Sequence, residues 1–473
     1  MLDLVIRSDR VVTSHGVGAY DVAIQDDKIV AVAAPGTLTG DVTRTVDATG
    51  KIVVPGGIDP HTHCHWPVPF PGGATTLSAG PEQVSRAALF GGTTTLIDFA
   101  AWESGETLQQ TIERRDQDWK GQCYTDYAFH VMLIGAPPPE VLDQIPETIQ
   151  AGFPSFKMFT TDITPSRRGR RVLYGHIWEV LQRLAKAGGI GAIHAEDDDI
   201  VMYLYEKLTR EGRTGFENMA EVHNTLSEDL SFRRIIRLAE LVGAALYMVH
   251  VSAASGVQAV QEARSRGVPI YGETLHQYAN HTSDDYKLPN GQMYHTYPSI
   301  KGAEDKLALW AGMANGTIST VATDEVCTTL AVKTQGSKID DTTGGNTGVE
   351  PRMGIVYTEG VVRRGFSLER FVNLTSANAA KILGLYPQKG AIAPGSDADL
   401  AIIDPSVTKT LRKEDLHESD YSPWDGWEIA GWPTMTIQHG KVVVENGQLT
   451  AAPRDGRHLQ RAVAEAILRS LAV

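Results

Sequence analysis

Cysteine is scarce in this chain: three thiols, Cys64, Cys123 and Cys327, in 473 residues. So few cannot build the disulfide framework of a small secreted scaffold, and they point to a reducing, cytoplasmic location. No apolar stretch approaches the roughly 20 residues of a membrane-spanning helix. The opening MLDLVIRSDRVV has no basic region followed by a long apolar run, so it is expected to be folded from its first residues, without a signal peptide. Positive charge is in deficit as well. Lys and Arg number 43 against 57 Asp and Glu, a net charge of -14 that argues against nucleic acid or anionic lipid as the main partner. Two phosphate-binding fingerprints are missing: no GxGxxG follows the first strand, and there is no GxxxxGK[ST]. Their absence disfavours an open doubly wound sheet and a Rossmann-type oxidoreductase.

What is present is an ordered, globular composition, 42% apolar and 21% charged, too long for one ordinary core. Two textures alternate along it. Residues 1–55 read as short strands (LVIRSDRVV, YDVAIQD, KIVAVAA, TRTVDAT) bounded by Gly, Asp and Asn, several with the two-residue period of half-buried strands. The same texture returns over 391–450, in DADLAIID and MTIQHGKVVVENGQL. One small β-sandwich built from both termini is the economical reading, because chain termini often meet in space. Between them, 56–390 holds eight near-continuous apolar runs: VVPGGID, TTTLIDFA, TDYAFHVML, FPSFKMF, GIGAIHAE, ALYMVHVS, VPIYGETL and ISTVATD. Helical patterns such as IWEVLQRLAKAGG and SFRRIIRLAELVG separate them. Strands buried on both faces, eight in number and alternating with helices, predict a (β/α)8 TIM barrel. Residues 451–473 read as a C-terminal helical segment packed on the barrel or on a neighbouring subunit.

Metal-ligand residue types recur at the C-terminal ends of these runs. His61 and His63 follow VVPGGID, and on an extended strand end residues two apart point to one face, so they can grip one ion. His194 ends GGIGAIH and His250 ends ALYMVH; together they suit a second ion. Asp324 ends ISTVATD and could both ligate the first metal and move a proton. Lys157, inside FPSFKMF, is the costly member, because a buried ammonium is expensive unless paired. It is either a structural ion pair, a lysine reaching solvent at the strand end, or a lysine carbamylated by CO2 (an N6-carboxylysine), whose two carbamate oxygens could bridge two cations. Nitrogen and oxygen ligands suit two divalent ions, zinc first, with manganese, cobalt or iron as alternatives. The chemistry this favours is attack of a shared hydroxide on a carbonyl, with Asp324 as base and then acid.

These residues and their surroundings, GGIDPHTH, FPSFKMF, HAED, VHVSAASG, YGETLHQY, ANGTISTVATDE, NTGVEPRM and LTSANAAKILGLYPQKGAIAPGSDADLAIIDP, resemble the cyclic amidohydrolases, specifically the dihydropyrimidinase/hydantoinase branch. Allantoinases and the non-catalytic dihydropyrimidinase-related proteins lie nearby. The resemblance covers essentially the whole chain. It implies a barrel with a terminal β-sandwich, a binuclear zinc site bridged by carbamylated Lys157, and a homotetramer. By position, His61, His63, Lys157 and Asp324 would hold the buried metal, and Lys157, His194 and His250 the more exposed one. The expected substrate is a cyclic amide, a dihydropyrimidine or a 5-substituted hydantoin. The alternatives are allantoin or another imide or lactam and, outside catalysis, a scaffold protein that has lost its metals.

Substrate positions depart from the family pattern. Hydantoinases carry an oxyanion-stabilising tyrosine five residues after the bridging lysine; here that position is Asp162, which is expected at the substrate unless it turns away or pairs with Arg167, Arg168, Arg170 and Arg171. Tyr174 could return to take the tyrosine's place. The arginines themselves read as a solvated loop face, as partners of Asp162 or as contacts to an anionic substrate. Tyr297 opens the segment that offers backbone groups to the ring, Asn346 or Thr347 would serve its other edge, and Trp66, Val68 and Phe70 would form an apolar lid.

Overall fold

The computed structural model describes residues 1–69 and 75–473. Its first layer is a mixed sheet: β1 (Leu2–Thr13), β2 (Gly16–Gln25), β3 (Lys28–Ala33), β4 (Val42–Asp47) and β5 (Ile52–Pro55) from the N-terminal part, with four strands from the other end of the chain. The apolar run VVPGGID splits. Pro55 ends β5, and the backbone passes through Gly56 to start β6 (Gly57–Asp59) in a different sheet. A side chain at Gly56 would collide with Thr94, so the crossing requires glycine.

β6 is the first strand of the barrel. After a small hairpin of β7 (Pro67–Pro69) and β8 (Thr75–Leu77) come β9 (Thr93–Ala101), β10 (Asp126–Met132), β11 (Ser155–Phe159), β12 (Ile190–His194), β13 (Ala245–Met248), β14 (Ile270–Leu275) and β15 (Ile318–Ala322). From β6 through β9 to β15, consecutive strands pair in parallel. They are buried on both faces, as their unbroken apolar runs predict. Helices Tyr174–Ala187, Thr225–Val242 and Ala303–Asn315 each stop at a left-handed glycine: Gly188, Gly243 and Gly316. The eight expected runs thus form a nearly closed (β/α)8 barrel. Its last seam, between β15 and β6, is sewn beyond the strand ends. Thr323 Oγ1 donates to Asp59 Oδ2 at 2.6 Å, Glu325 N–H to His61 O at 3.2 Å, and His63 N–H to Glu325 O at 2.8 Å.

The chain then returns to the first sheet with β16 (Leu400–Thr410), β17 (Glu428–Gln438), β18 (Lys441–Glu445) and β19 (Gln448–Leu449). β16 pairs with β5, so both ends of the chain form one continuous nine-stranded sheet. Leu4, Ile6, Val22, Ile24, Leu400 and Ile437 pack its core.

One expectation fails. The amphipathic segment 451–473 is helical only over Glu465–Arg469. The residues before it run irregularly along the barrel's lower rim, where Leu459 N–H donates to Tyr127 O, Arg461 N–H to Gly152 O and Ala462 N–H to Gly384 O. Backbone bonds to the barrel outcompete a local helix that would be short and marginal by itself. Among the described residues no helix is long and apolar enough to cross a membrane.

Candidate metal centre

The seam that closes the barrel also builds the site. By drawing the segment after β15 against the segment after β6, it sets Asp324 Oδ1 3.2 Å from both His61 Nε2 and His63 Nε2. The three ligand atoms lie within 4.8 Å of one another. Thr296 Oγ1 donates to the other carboxylate oxygen at 2.7 Å and fixes its orientation. Asp324 and His250 both hold positive φ, 53° and 42°, a backbone state that non-glycine residues adopt at a cost and that clusters at functional sites. Beside them, His194 Nδ1 and His250 Nε2 face each other at 3.0 Å. Lys157 is buried between these pairs, its Nζ 5.3 Å from the Phe99 ring and 5.2 Å from that of Phe159, and among the described residues it makes no ion pair. The structural ion pair considered for Lys157 is therefore absent there.

The donor set fits cations. Glu273, on β14, accepts from His61 Nδ1 at 2.7 Å and from the His250 backbone N–H at 3.1 Å. With Nδ1 donating, His61 Nε2 presents a lone pair to an anionic oxygen. Glu196 likewise engages His194 Nε2 at 2.9 Å and leaves the Nδ1 lone pair aimed at His250. For His61 and Asp324, a lone pair facing an anionic oxygen is unfavourable until a positive ion sits between them. Burial drives the imidazoles of His61 and His250 far below their ordinary range and lowers His194 too, so their lone pairs stay free. Burial alone would raise Asp324, but its carboxyl is held below the usual carboxylate range, with hydrogen bonds from His63 and Thr296 among the causes. Burial pulls the Lys157 amine down to about 8, against the opposing pull of Asp324 and Glu273.

A second His/carboxylate cluster, Asp126, Asp399 and His439, lies at the other end of the barrel, where β10 begins. The Lys389 ammonium is already bound there to Asp126, Asp399 and Asp397, so that cluster is a filled ionic knot.

A pocket opens over His61, His63, Lys157, His194, His250 and Asp324. Its walls include Trp66 and Tyr297; the Trp66 ring lies 4.9 Å from that of His63, and Tyr297 donates to Thr342 O at 3.3 Å. Phe70 falls outside the described residues. Asn346 is buried one residue beyond the lining Gly345, and neither its amide oxygen nor its nitrogen has a partner among the described residues.

Two expected substrate residues are placed elsewhere. Thr347 turns its hydroxyl to Glu418. Asp162 does turn away: its Oδ1 accepts the backbone N–H groups of Gly169, Arg170 and Arg171, each at 2.9 Å, and so caps its own loop instead of meeting substrate or the arginine side chains. Tyr174 does not return to the site; it packs beneath Arg234, 4.6 Å away. The arginines divide. Arg168 is exposed and Arg171 pairs with Asp198 at 2.6 Å, whereas Arg167 and Arg170 line the pocket. Glu273, Glu196 and Thr296 were not anticipated from the sequence. The two glutamates carried the same signal as Lys157, a charged residue in or just after an apolar run.

The amidohydrolase family model matches residues 179–443. The D-hydantoinase of Geobacillus stearothermophilus is 34% identical over 97% of this chain and 96% of its own. The chain belongs to the dihydropyrimidinase/hydantoinase family of the amidohydrolases. Among solved structures, the dihydropyrimidinase of Brevibacillus agri NCHU1002 superposes with a TM-score of 0.92 at 32% identity, covering 98% of this chain and 100% of its own. The L-hydantoinase (dihydropyrimidinase) of Arthrobacter aurescens reaches 0.85 at 27% identity, over 98% and 100%. Family membership and an intact His/His/Asp site make this chain a hydrolase, with a metal site consistent with hydrolysis of a cyclic amide.

Proposed function

We propose that this amidohydrolase opens the C–N bond of a dihydropyrimidine or 5-substituted hydantoin ring with two divalent ions, zinc first. His61, His63 and Asp324 would hold one and His194 and His250 the other, with Lys157 between them as a carbamate. The observation that carries the reading is the buried Lys157 amine, without an ion pair, placed between the His61/His63/Asp324 cluster and the His194/His250 pair. An amine depressed to about 8 is partly neutral near pH 7 and can attack CO2. The carbamate forms as the amine loses one proton, and its anion replaces an unpaired buried cation with a bidentate oxygen donor.

The ions, when bound, would make water nucleophilic near neutral pH and polarise the ring carbonyl. The chain's own residues supply the rest. Asp324, ionised and fixed by Thr296, takes the proton of the attacking water and returns it to the ring nitrogen as the C–N bond breaks. Trp66 and Tyr297 wall the ring and exclude bulk water. Asn346, with its unused amide, is the neighbouring donor and acceptor for a ring amide edge. The same reading places the enzyme in a reducing cytoplasm as a homotetramer, which light scattering on the purified protein tests.

Zinc-loaded protein offered dihydrouracil, hydantoin, phenylhydantoin and allantoin should open at least one of the first three, with two metals per chain and a mass increment of one CO2. Metal-replete protein that opens none of the four rings, or that carries unmodified Lys157, overturns the proposal.

A further inference from the structure

We infer that Arg167 and Arg170 form an anion subsite, and that the preferred ring carries a carboxylate substituent. This rests on the hydrolytic reading above for the ring itself, not for the anion. Both arginines line the pocket that holds the metal ligands, and neither makes an ion pair among the described residues. The undescribed stretch, residues 70–74, contains no acid that could serve. None of the local carboxylates forms an ion pair with either guanidinium among the described residues. Asp198 holds Arg171, Asp340 accepts from Ser166, and Asp162 Oδ1 is taken by three backbone amides. Arg167 donates only one long bond, 3.4 Å to Thr342 O, and the Arg170 guanidinium donates none within the described residues.

Their placement is imposed by the loop. Asp162 gathers the amides of 169–171, and Ile163, a β-branched residue also lining the pocket, is held at φ 71°. The Arg170 guanidinium carbon lies 5.9 Å from the Trp66 ring and that of Arg167 5.7 Å from the Tyr297 ring. Each planar fork therefore stands beside one of the two aromatic walls with N–H groups left over: all of those on Arg170, and all but the one Arg167 gives to Thr342 O. Burial and the neighbouring Arg167 pull Arg170 down to about 10 against the opposing pull of Asp162, which leaves it charged at neutral pH. Two unpaired guanidinium forks in one pocket of a chain whose net charge is -14 match a carboxylate, which takes parallel N–H bonds from such forks. The substrate class that follows is a cyclic ureide with a carboxylate arm, and its ring-opened product is an N-carbamoyl dicarboxylate.

The test uses the metal-loaded holoenzyme with hydantoin-5-acetic acid, its methyl ester, and the ring-opened N-carbamoyl diacid. Charged hydrogen bonds of this kind are worth about 10- to 100-fold. The acid should therefore exceed the ester by about that factor in kcat/KM, chiefly through KM. The ratio should fall toward one in Arg167→Gln and Arg170→Gln. Calorimetry should show the N-carbamoyl diacid binding in a salt-sensitive way that both substitutions weaken. If no ring is opened but the diacid still binds through the arginines, the subsite stands and the hydrolytic reading fails. If rings open with no preference for the acid, and diacid binding ignores both substitutions, the subsite is overturned and hydrolysis stands. A uniform loss of kcat on acid and ester alike also overturns it, because it would assign the arginines to the developing oxyanion.

Discussion

Glu273 offers the sharpest perturbation of the candidate metal centre, because it lies outside the pocket lining and, in this geometry, is not itself a ligand. It accepts from His61 Nδ1 at 2.7 Å, from the His250 backbone N–H at 3.1 Å and from the Tyr247 hydroxyl at 2.7 Å. Glu273→Ala removes all three. The His61 ring loses the partner that fixes its tautomer, and the His250 amide loses its acceptor; Tyr247 keeps Thr320 Oγ1 at 2.6 Å. Removing a carboxylate that orients a ligand histidine costs about 10- to 100-fold in metal affinity. Glu273→Gln separates geometry from charge. Its amide oxygen can still accept from His61 and His250, while its NH2 group can donate to the Tyr247 oxygen. Charge-assisted bonds are roughly twice as strong as neutral ones, so Gln should keep part of what Ala loses, with a drop of about tenfold. Zinc affinity measured by chelator competition, alongside kcat/KM on an opened ring, reads both variants. A folded Glu273→Ala protein with wild-type zinc affinity would refute the orienting role, as would a Gln variant weaker than Ala.

Asp162→Ala should free the amides of Gly169, Arg170 and Arg171 and loosen the arginine loop. KM is expected to rise with metal content unchanged, and Asp162→Asn, which keeps the acceptor, should rescue most of the loss; equal kinetics for all three proteins would exclude the capping role. Lys389→Met strands Asp126, Asp397 and Asp399 around an empty centre and should cost about 3–5 kcal/mol, read as a large fall in chemical-denaturation stability. Burial and the nearby Glu350 push Glu418 up to about 8 from an ordinary 4.5, so the folded state holds a proton that the unfolded chain releases. Stability should therefore decline as pH rises from about 4.5 to about 8, and Glu418→Gln should flatten that slope in thermal unfolding followed against pH. A slope unchanged by the substitution would contradict it.

The candidate ligands were legible because chemistry and periodicity coincide in them. Each is a metal-binding residue type at the C-terminal end of an apolar run, where a barrel places its functional groups. Lys157 stood out by cost alone, and the same reasoning extends to Glu273 in VPIYGETL and Glu196 in GIGAIHAE. Asp162 was not legible in this way. Its role depends on a loop that folds back seven to nine residues later, and nothing local signals that return. Thr347 was misplaced for a related reason: its partner, Glu418, is brought up by a distant segment of the chain. The tail over 451–473 misled because a helical pattern prevails only if nothing better binds the backbone, and the barrel's rim did. Within VVPGGID, one apolar run concealed the passage between two sheets at Gly56.

The seam between β6 and β15 has a consequence for how the protein ages. The two staves that complete the hoop are fastened by the residues flanking the ligands, so a cation held by His61, His63 and Asp324 also acts as a rivet across the join. Losing that rivet weakens the hoop at one place. Amide exchange at His63 and Glu325 should quicken first when the ion is stripped, well before the opposite staves around β11 and β12 respond.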